Sequence, residues 1–378
     1  MTAILQTNHN VIGECLYMAL ELSDKTWRLG FSNGEKIRQV TLHAGDLGAL
    51  STQINLAKEK LKLEKGCPVR SCYEAGRDGF WIHRHLVEQG ISNVVIDSAS
   101  IEVNRRQRRA KTDSVDVQSL IRLLLRYWGG EKKVMSIVRV PSVEAEDQRR
   151  LHRERERLLK ERGSHSARIK ALLIAHGVRL KSIKSDFIEQ LKRLKSATGA
   201  DLGEELKAEL AREYQRYQLV VEQVKGLEKQ QKVRTEQAQT KGVQQIKQLM
   251  QLKGVGWQSS WILSMEFFAW RGFKNQRELG ACAGLTPTPY SSGQSQREQG
   301  ISKAGNRRIR SLMVELSWLW LRYQPESHLS QWYEQRYAQG GKRMRRIGIV
   351  ALARKLLIAL WRYLEDGLIP SGAVLKSK

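Results

Sequence analysis

Four carboxylates and one pair of hydroxyls have the types and spacing for phosphodiester chemistry in this chain. Glu21 stands between Leu20 and Leu22 in the apolar run CLYMALEL. A carboxylate in such a place needs a partner or a metal, because an unpaired buried charge is costly. Glu74 directly follows a second apolar stretch that ends at Tyr73. Asp113 and Asp116 lie three apart in KTDSVD, at a helix start, and so project from one face. Brought to one edge of a sheet, these four would hold one or two Mg²⁺ ions, which clamp the attacking and leaving oxygens of a phosphodiester. Taken singly, each has a plainer role. Asp113 suits an N-cap and Asp116 favours the helix dipole, while Glu74 has Arg70 or Arg77 to pair with and Glu21 a lysine.

The hydroxyls are Ser291 and Ser292, ahead of Gly293, in the stretch AGLTPTPYSSGQSQREQGISKAGNRRIR from Ala283 to Arg310. Its Gly, Pro, Ser and Thr content predicts an irregular loop followed by a helix. Arg297, Lys303, Arg307, Arg308 and Arg310 come after the serines. A hydroxyl ringed by cations is suited to attack or grip a phosphodiester, and a solvated loop is the bland alternative. A second basic run, Arg105, Arg106, Arg108, Arg109 and Lys111, sits just before the aspartate pair and would bring a phosphate backbone to it. His83 and His85 are two apart on a helix, face different ways, and read as surface residues.

Composition narrows the partners. The chain has 65 Lys and Arg against 39 Asp and Glu, a formal net charge of +26, which predicts strong, salt-dependent binding to a polyanion. Nucleic acid leads, ahead of an anionic membrane surface. The four cysteines form no CxxC pair and no zinc spacing, so they read as reduced, buried thiols of a cytoplasmic protein. No signal pattern opens the chain, and no run of about 18 apolar residues occurs to span a membrane.

The elements that must position these groups fall into three stretches. Residues 1–140 alternate strand and helix signals. Strands are expected at Cys15–Leu22, Trp27–Phe31, Ile37–Leu42, Pro68–Tyr73 and Asn93–Asp97, with helices at Leu47–Leu63, Phe80–Gln89 and Ser114–Trp128. This is the order of an RNase H-like mixed sheet covered on both faces. Residues 141–248 are charged and nearly free of proline. They predict long helices, broken near Gly177 and Ala197–Gly203, that form an antiparallel coiled-coil arm suited to dimer contacts. Residues 249–378 read as helical. LMQLKGVGWQSSWIL has the pattern of a helix-hairpin-helix, whose turn amides suit a DNA phosphate. The basic helix Met344–Leu364 fits a core position better than a membrane surface.

ALELSDKTW, YEAGRDGFW, AKTDSVD, LKGVGWQSSWIL and the serine stretch together carry a resemblance over nearly the whole chain. It resembles the DEDD-type transposases of the IS-one-ten and IS-eleven-eleven insertion sequences, the bridge-RNA-guided recombinases. The resemblance implies a RuvC-like domain supplying Glu21, Glu74, Asp113 and Asp116, and a coiled coil leading to a helical transposase domain. Ser292 would be the nucleophile, and Ser291 remains the local alternative. The first acidic position is usually Asp and here is Glu, one methylene longer. The implied reaction is site-specific DNA recombination through a covalent phosphoserine with Mg²⁺ at the carboxylates. The implied partners are donor and target double-stranded DNA, a structured non-coding guide RNA that pairs with both, and further copies of the chain as a dimer or a dimer of dimers. The serine and the carboxylates would come from different protomers, and the protein would associate with the nucleoid when acting. Two other readings stand beside it: a RuvC-like Mg²⁺-dependent junction nuclease in which water attacks, and a non-enzymatic nucleic-acid-binding protein whose acidic set is structural.

Overall fold

The structure, a computed structural model, describes residues 14–101, 113–292 and 295–376; for 113–114 and 290–299 it describes the backbone. The chain forms two compact units, Met1–Val140 and Pro141–Lys378.

The first unit is built around β1 (Leu16–Leu22). Its apolar run is buried on both faces, as suits a central strand. β2 (Thr26–Ser32) and β3 (Ile37–His43) extend the sheet antiparallel on one side. β4 (Val69–Glu74) and β5 (Ser92–Ile96) extend it parallel on the other, giving the order β3-β2-β1-β4-β5. Parallel pairing requires crossovers, and α1 (Leu47–Lys60) and α2 (Trp81–Glu88) supply them. Leu50, Ile54, Ile82 and Leu86 of these helices bury against Leu16, Met18, Leu20 and Leu29. α3 (Asp113–Trp128) covers the opposite face, where Leu120, Ile121 and Leu124 meet Tyr17, Ala19 and Cys72. The result is a mixed five-stranded sheet with helices on both faces, consistent with an RNase H-like domain.

Gly30 sets the approach of α3. A Cβ there would sit 2.4 Å from Val117 Cγ1, so only glycine lets the helix lie this close to β2. His83 is not a simple surface residue. Its Nδ1 lies 2.8 Å from Asn93 Nδ2, and Asn93 Oδ1 accepts from the buried Ser71 hydroxyl at 2.7 Å. Burial, with the nearby Arg84 charge, lowers its pKa.

The second unit begins with α4 (Val143–Gln148) and the arm. α5 (Arg150–Ile174) and α7 (Glu204–Gln237) run antiparallel, as the ion pairs Arg155–Glu228 and Arg168–Glu209 and the hydrogen bond between His165 and Glu213 show. At the far end α6 (Phe187–Arg193) closes a small core of Ile169, Leu173, Phe187, Leu191 and Tyr214. At the near end Leu151, Leu158, Val220 and Val224 join Val243, Ile246, Trp261 and Met265.

Those last residues belong to α8 (Lys241–Met250), α9 (Trp257–Ile262) and a π-helical turn, Leu263–Phe268. Then follow α10 (Gln276–Cys282), the hairpin β6 (Pro287–Ser292) and β7 (Ser295–Ile301), α11 (Arg307–Tyr323), α12 (His328–Tyr333) and α13 (Lys342–Asp366). α13 is a core helix: Leu352, Ala353, Leu356, Leu357 and Leu360 are fully buried. Among the described residues no helix is long and apolar enough to cross a membrane. The turn between α8 and α9 has a structural occupant. Lys253 N–H donates to Val374 O, Leu252 bridges to Leu375, and Gln324 Nε2 donates to Lys253 O. The C-terminal segment therefore seats on this turn.

Candidate active site

Two of the expected carboxylates meet at the sheet. β1 and β4 are paired in parallel as far as Leu20 and Tyr73, so Glu21 and Glu74 come next on both strands, at their C-terminal ends. Side chains alternate along a strand, and Ala19 and Cys72 belong to the face under α3. Glu21 and Glu74 share that face. They line one cleft of about 430 Å³ with Ser23, Asp24, Arg77 and Asp78. Arg77 ion-pairs with Asp24 at 3.3 Å, and Arg70 stacks on Trp128 at 4.2 Å. Arg28 lies opposite Glu21 in register, with its guanidinium donating to Gln39 and Thr41.

α3 brings the aspartates toward the same end. Val117 packs on Gly30, level with Ala19, while Trp128 at the other end of the helix meets Arg70, level with Tyr17. The helix thus runs against β1, and its first turn lies toward Glu21 and Glu74. Asp116 is half-buried there, and Asp113 is the first residue of the helix. Among the described residues no three His, Cys, Asp or Glu groups gather closely enough to hold a metal by themselves. Asp113's side chain lies outside them. Two carboxylates at an open cleft still fit Mg²⁺, which is usually held by one or two carboxylates together with substrate phosphates and water.

The serine stretch is not an irregular loop. It forms a two-stranded antiparallel ribbon in which Ser291 pairs with Gln296 and Ser292 with Ser295. Pro287 and Pro289 misled the composition reading. Proline is excluded from central strands, but both strands of an isolated ribbon are edges, where a missing N–H is tolerated. The root of the ribbon is tightly held. Ser302 N–H donates to Thr286 O, Lys303 N–H to Gly284 O, and Asn306 N–H to Cys282 O. Gly305 has φ +124°, and a Cβ on it would lie 2.5 Å from Cys282 O, so glycine is required there. Of the four cations that follow the ribbon, Arg308 ion-pairs with Glu156 of α5, and Arg310 Nη1 donates to Lys303 O at 2.9 Å. Both brace the fold. Arg307 and Lys303 are exposed. Gly293 and the run Arg105, Arg106, Arg108, Arg109 and Lys111 lie outside the described residues.

A fifth carboxylate escaped the sequence reading. Glu266, in the π-helical turn, is 2% exposed. It accepts from Arg153 Nε and Nη2 at 3.0 and 2.8 Å and from Asn306 Nδ2 at 2.9 Å, and His152 Nε2 lies 2.9 Å away. Burial alone would raise its pKa. The hydrogen bonds from His152 and Arg153, the Arg153 charge and the Asn306 contact outweigh that and hold the carboxyl well below the usual carboxylate range. A lone acid in the apolar run LSMEFFAW was the available signal.

The segment holding Glu266, the ribbon and Asn306 is also the one that a family model covers. Residues 246–332 match the model of the transposase IS116/IS110/IS902 family. A putative transposase of Sinorhizobium fredii is 40% identical over 376 residues, 96% of this chain and 95% of that protein. The chain belongs to this transposase family. The transposase for insertion sequence element IS1328 of Yersinia enterocolitica is 26% identical, covering 58% of this chain and 63% of its own. That for IS1111A of Coxiella burnetii is 25% identical, covering 67% and 65%. In this transposase the family match falls on the second unit, so the serine ribbon and the Glu266 network both lie inside it. Glu21, Glu74 and Asp116 lie outside it, and the relative from Sinorhizobium fredii spans them.

Proposed function

We propose that this insertion-sequence transposase cuts and rejoins DNA through Ser292, assisted by Glu21, Glu74, Asp113 and Asp116. The observation that carries the reading is the meeting of Glu21 and Glu74 in one cleft, at the ends of neighbouring parallel strands and under the first turn of α3. Open α/β sheets place their sites at that edge. Bound there, Mg²⁺ supplies positive charge to the oxygens of the reacting phosphodiester. Glu21 and Glu74 would hold it at the sheet edge, and Asp113 and Asp116 would approach it from the first turn of α3 once a phosphate is bound.

The Ser292 hydroxyl attacks phosphorus, a serine–phosphate bond forms, and the bond to one deoxyribose oxygen breaks. That oxygen takes a proton and leaves as a hydroxyl. Rejoining reverses the step with the hydroxyl of another strand end, which attacks phosphorus and releases the serine. The ribbon's fixed root supports this role, because an attacking atom must be held in line. Arg307 and Lys303, exposed at the root of the ribbon, hold the DNA backbone there. The carboxylates and the serine belong to different units, and in the homo-oligomer they would come from different protomers. The protein works on donor and target DNA as a homo-oligomer joined through a coiled-coil arm. A structured RNA from the element supplies sequence choice by base pairing, which suits a +26 chain that grips backbone and shape.

The test is a covalent-adduct assay. Purified protein, Mg²⁺, duplex carrying the element's joined ends and its flanking transcript are mixed, denatured and resolved on a gel. An adduct that disappears in Ser292→Ala and Asp113→Ala but persists in Ser291→Ala is expected. Its loss only in Ser291→Ala moves the nucleophile by one residue. Mg²⁺-dependent cutting that survives both serine changes, with no adduct, establishes water attack instead.

A further inference from the structure

The chemistry above makes no use of Glu266, yet this buried acid ties together three separate segments. His152 and Arg153 stand at the start of α5, the root of the arm. Glu266 sits in a π-helical turn, which Ser264 ties to α8 by donating to Gly242 O at 2.8 Å. Asn306 is the N-cap of α11 and the last residue of the segment that leaves the serine ribbon. Its side chain does two things at once. Oδ1 accepts from the N–H groups of Arg308 and Ile309, and Nδ2 donates to Glu266. An aspartate would cap the helix equally well and would set an oxygen against the Glu266 oxygen. A serine would cap it without reaching across. The residue type is therefore matched to both tasks. One turn further along α5, Glu156 holds Arg308, a second link between the same two helices.

We propose that Glu266 is a positioning residue that locks the root of the arm to the root of the serine ribbon, so that the nucleophile's seat depends on where α5 starts. The inference rests on the serine reading above. Apolar packing alone lets two helices slide by fractions of an ångström. A buried carboxylate met by donors on both oxygens fixes direction as well as distance. The bonds at Asn306 N–H, Lys303 N–H and Ser302 N–H carry that fixed point up to β6 and β7. An arm displaced at its root would shift Asn306, and with it the ribbon.

The test exchanges donor and acceptor. Asn306→Asp keeps the cap and removes the donor to Glu266. Glu266→Gln offers an amide that restores this contact with its roles reversed, at the loss of the Arg153 Nη2 bond to the same oxygen; Arg153 Nε still meets the other oxygen. Full-length single and double variants are mixed with the joined-end duplex, the transcript and Mg²⁺. Adduct formation is followed in a single turnover at saturating duplex, beside duplex affinity and amide hydrogen exchange at Ser302, Lys303, Asn306 and Arg310. Asn306→Asp is expected to slow adduct formation by about 100-fold, the scale of a misplaced reacting group, with affinity unchanged and exchange at those amides faster. The double variant is expected to recover at least about tenfold of the rate, because the two sites are coupled. A double variant as slow as Asn306→Asp although its exchange at those amides has returned to wild type overturns the proposal. So does wild-type adduct formation in an Asn306→Asp protein whose exchange is raised. If Asn306→Asp does not fold, Arg153→Lys serves, since it keeps the charge and removes the two-pronged contact; unchanged rate and exchange in it also overturn the proposal. An adduct that survives Ser292→Ala counts against the serine reading alone, and the exchange data then decide the coupling.

Discussion

The two units each contain a carboxylate centre, and the two are built in opposite ways. Glu266 is sealed from water and met on both oxygens by side chains from α5 and from the cap of α11. Glu74 is exposed at a cleft that it shares with Glu21, Asp24 and Asp78. The arginines that sequence offered it go elsewhere, Arg77 to Asp24 and Arg70 to Trp128. An acid saturated by protein donors has no valence left for a ligand and acts on the fold. Acids gathered at an open strand end raise the local negative charge, which favours a cation from solution. Burial, more than residue type, separates the acid that holds the protein from acids that stand open to a ligand.

The largest effect should come from the open centre and should leave stability alone. Glu74→Gln is expected to lower DNA cutting on the order of 1000-fold, about 4 kcal/mol of transition-state stabilisation. Its unfolding free energy in urea should stay within about 0.5 kcal/mol of wild type. A destabilised Glu74→Gln that still cuts would invert the comparison. The buried centre should respond the other way. Glu266→Ala leaves His152 and Arg153 without their partner and is expected to cost about 3 kcal/mol in urea unfolding at pH 7. The pH dependence has a definite sign. The folded pKa of Glu266 lies well below its unfolded value near 4.3, so its contribution is complete above that value and is lost as pH falls toward the folded pKa. Wild type should therefore lose more stability than Glu266→Gln between about pH 5 and pH 3. Parallel curves for the two proteins would show that the carboxylate is not held in its charged form.

The same contrast explains what could be read from the sequence. β1 was legible because Leu16–Leu20, buried on both faces, leaves an unbroken apolar signature. The strands beside it and α1 to α3 were legible because their periods of two and of 3.6 are local properties. Glu21 and Glu74 were legible as a pair because each sits at the end of such a strand. Glu266 was not, because its partners lie 114, 113 and 40 residues away in the chain, and no local pattern records them. The ribbon of Ser291 and Ser292 was read as a loop because proline and glycine content counts against strands. The exception for a two-stranded edge appears only once the pairing is known.

A smaller effect is expected at the helix that serves the open centre. Gly30→Ala would drive a methyl group into Val117 and push α3 off β2, at a cost of about 1–3 kcal/mol. Because Asp116 precedes Val117, the displacement should also reduce cutting. Val117→Ala in the same chain should recover both, by making room. Recovery of stability without recovery of cutting would show that Asp116 does not need its place over the sheet.

The smallest effect is expected where charge is abundant and burial is absent. Arg168 and Glu209 pair at 2.7 Å across the arm, with side chains 58% and 41% exposed. A pair so open to water gains little from its charges, and ordering two long side chains offsets much of that gain. Arg168→Ala should change unfolding free energy by no more than about 0.5 kcal/mol, against about 3 for Glu266→Ala. His165 and Glu213 lie between these extremes, half-buried at the same distance, and give the comparison a middle point. If Arg168→Ala costs as much as the loss of Glu266, the arm's ion pairs act as one network, and burial no longer ranks the acids of this protein. If the three fall in order of burial, the ranking holds inside the second unit on its own. Low exposure with donors on both oxygens then marks an acid that holds the fold, and an exposed acid such as Glu74 is the kind to test for chemistry.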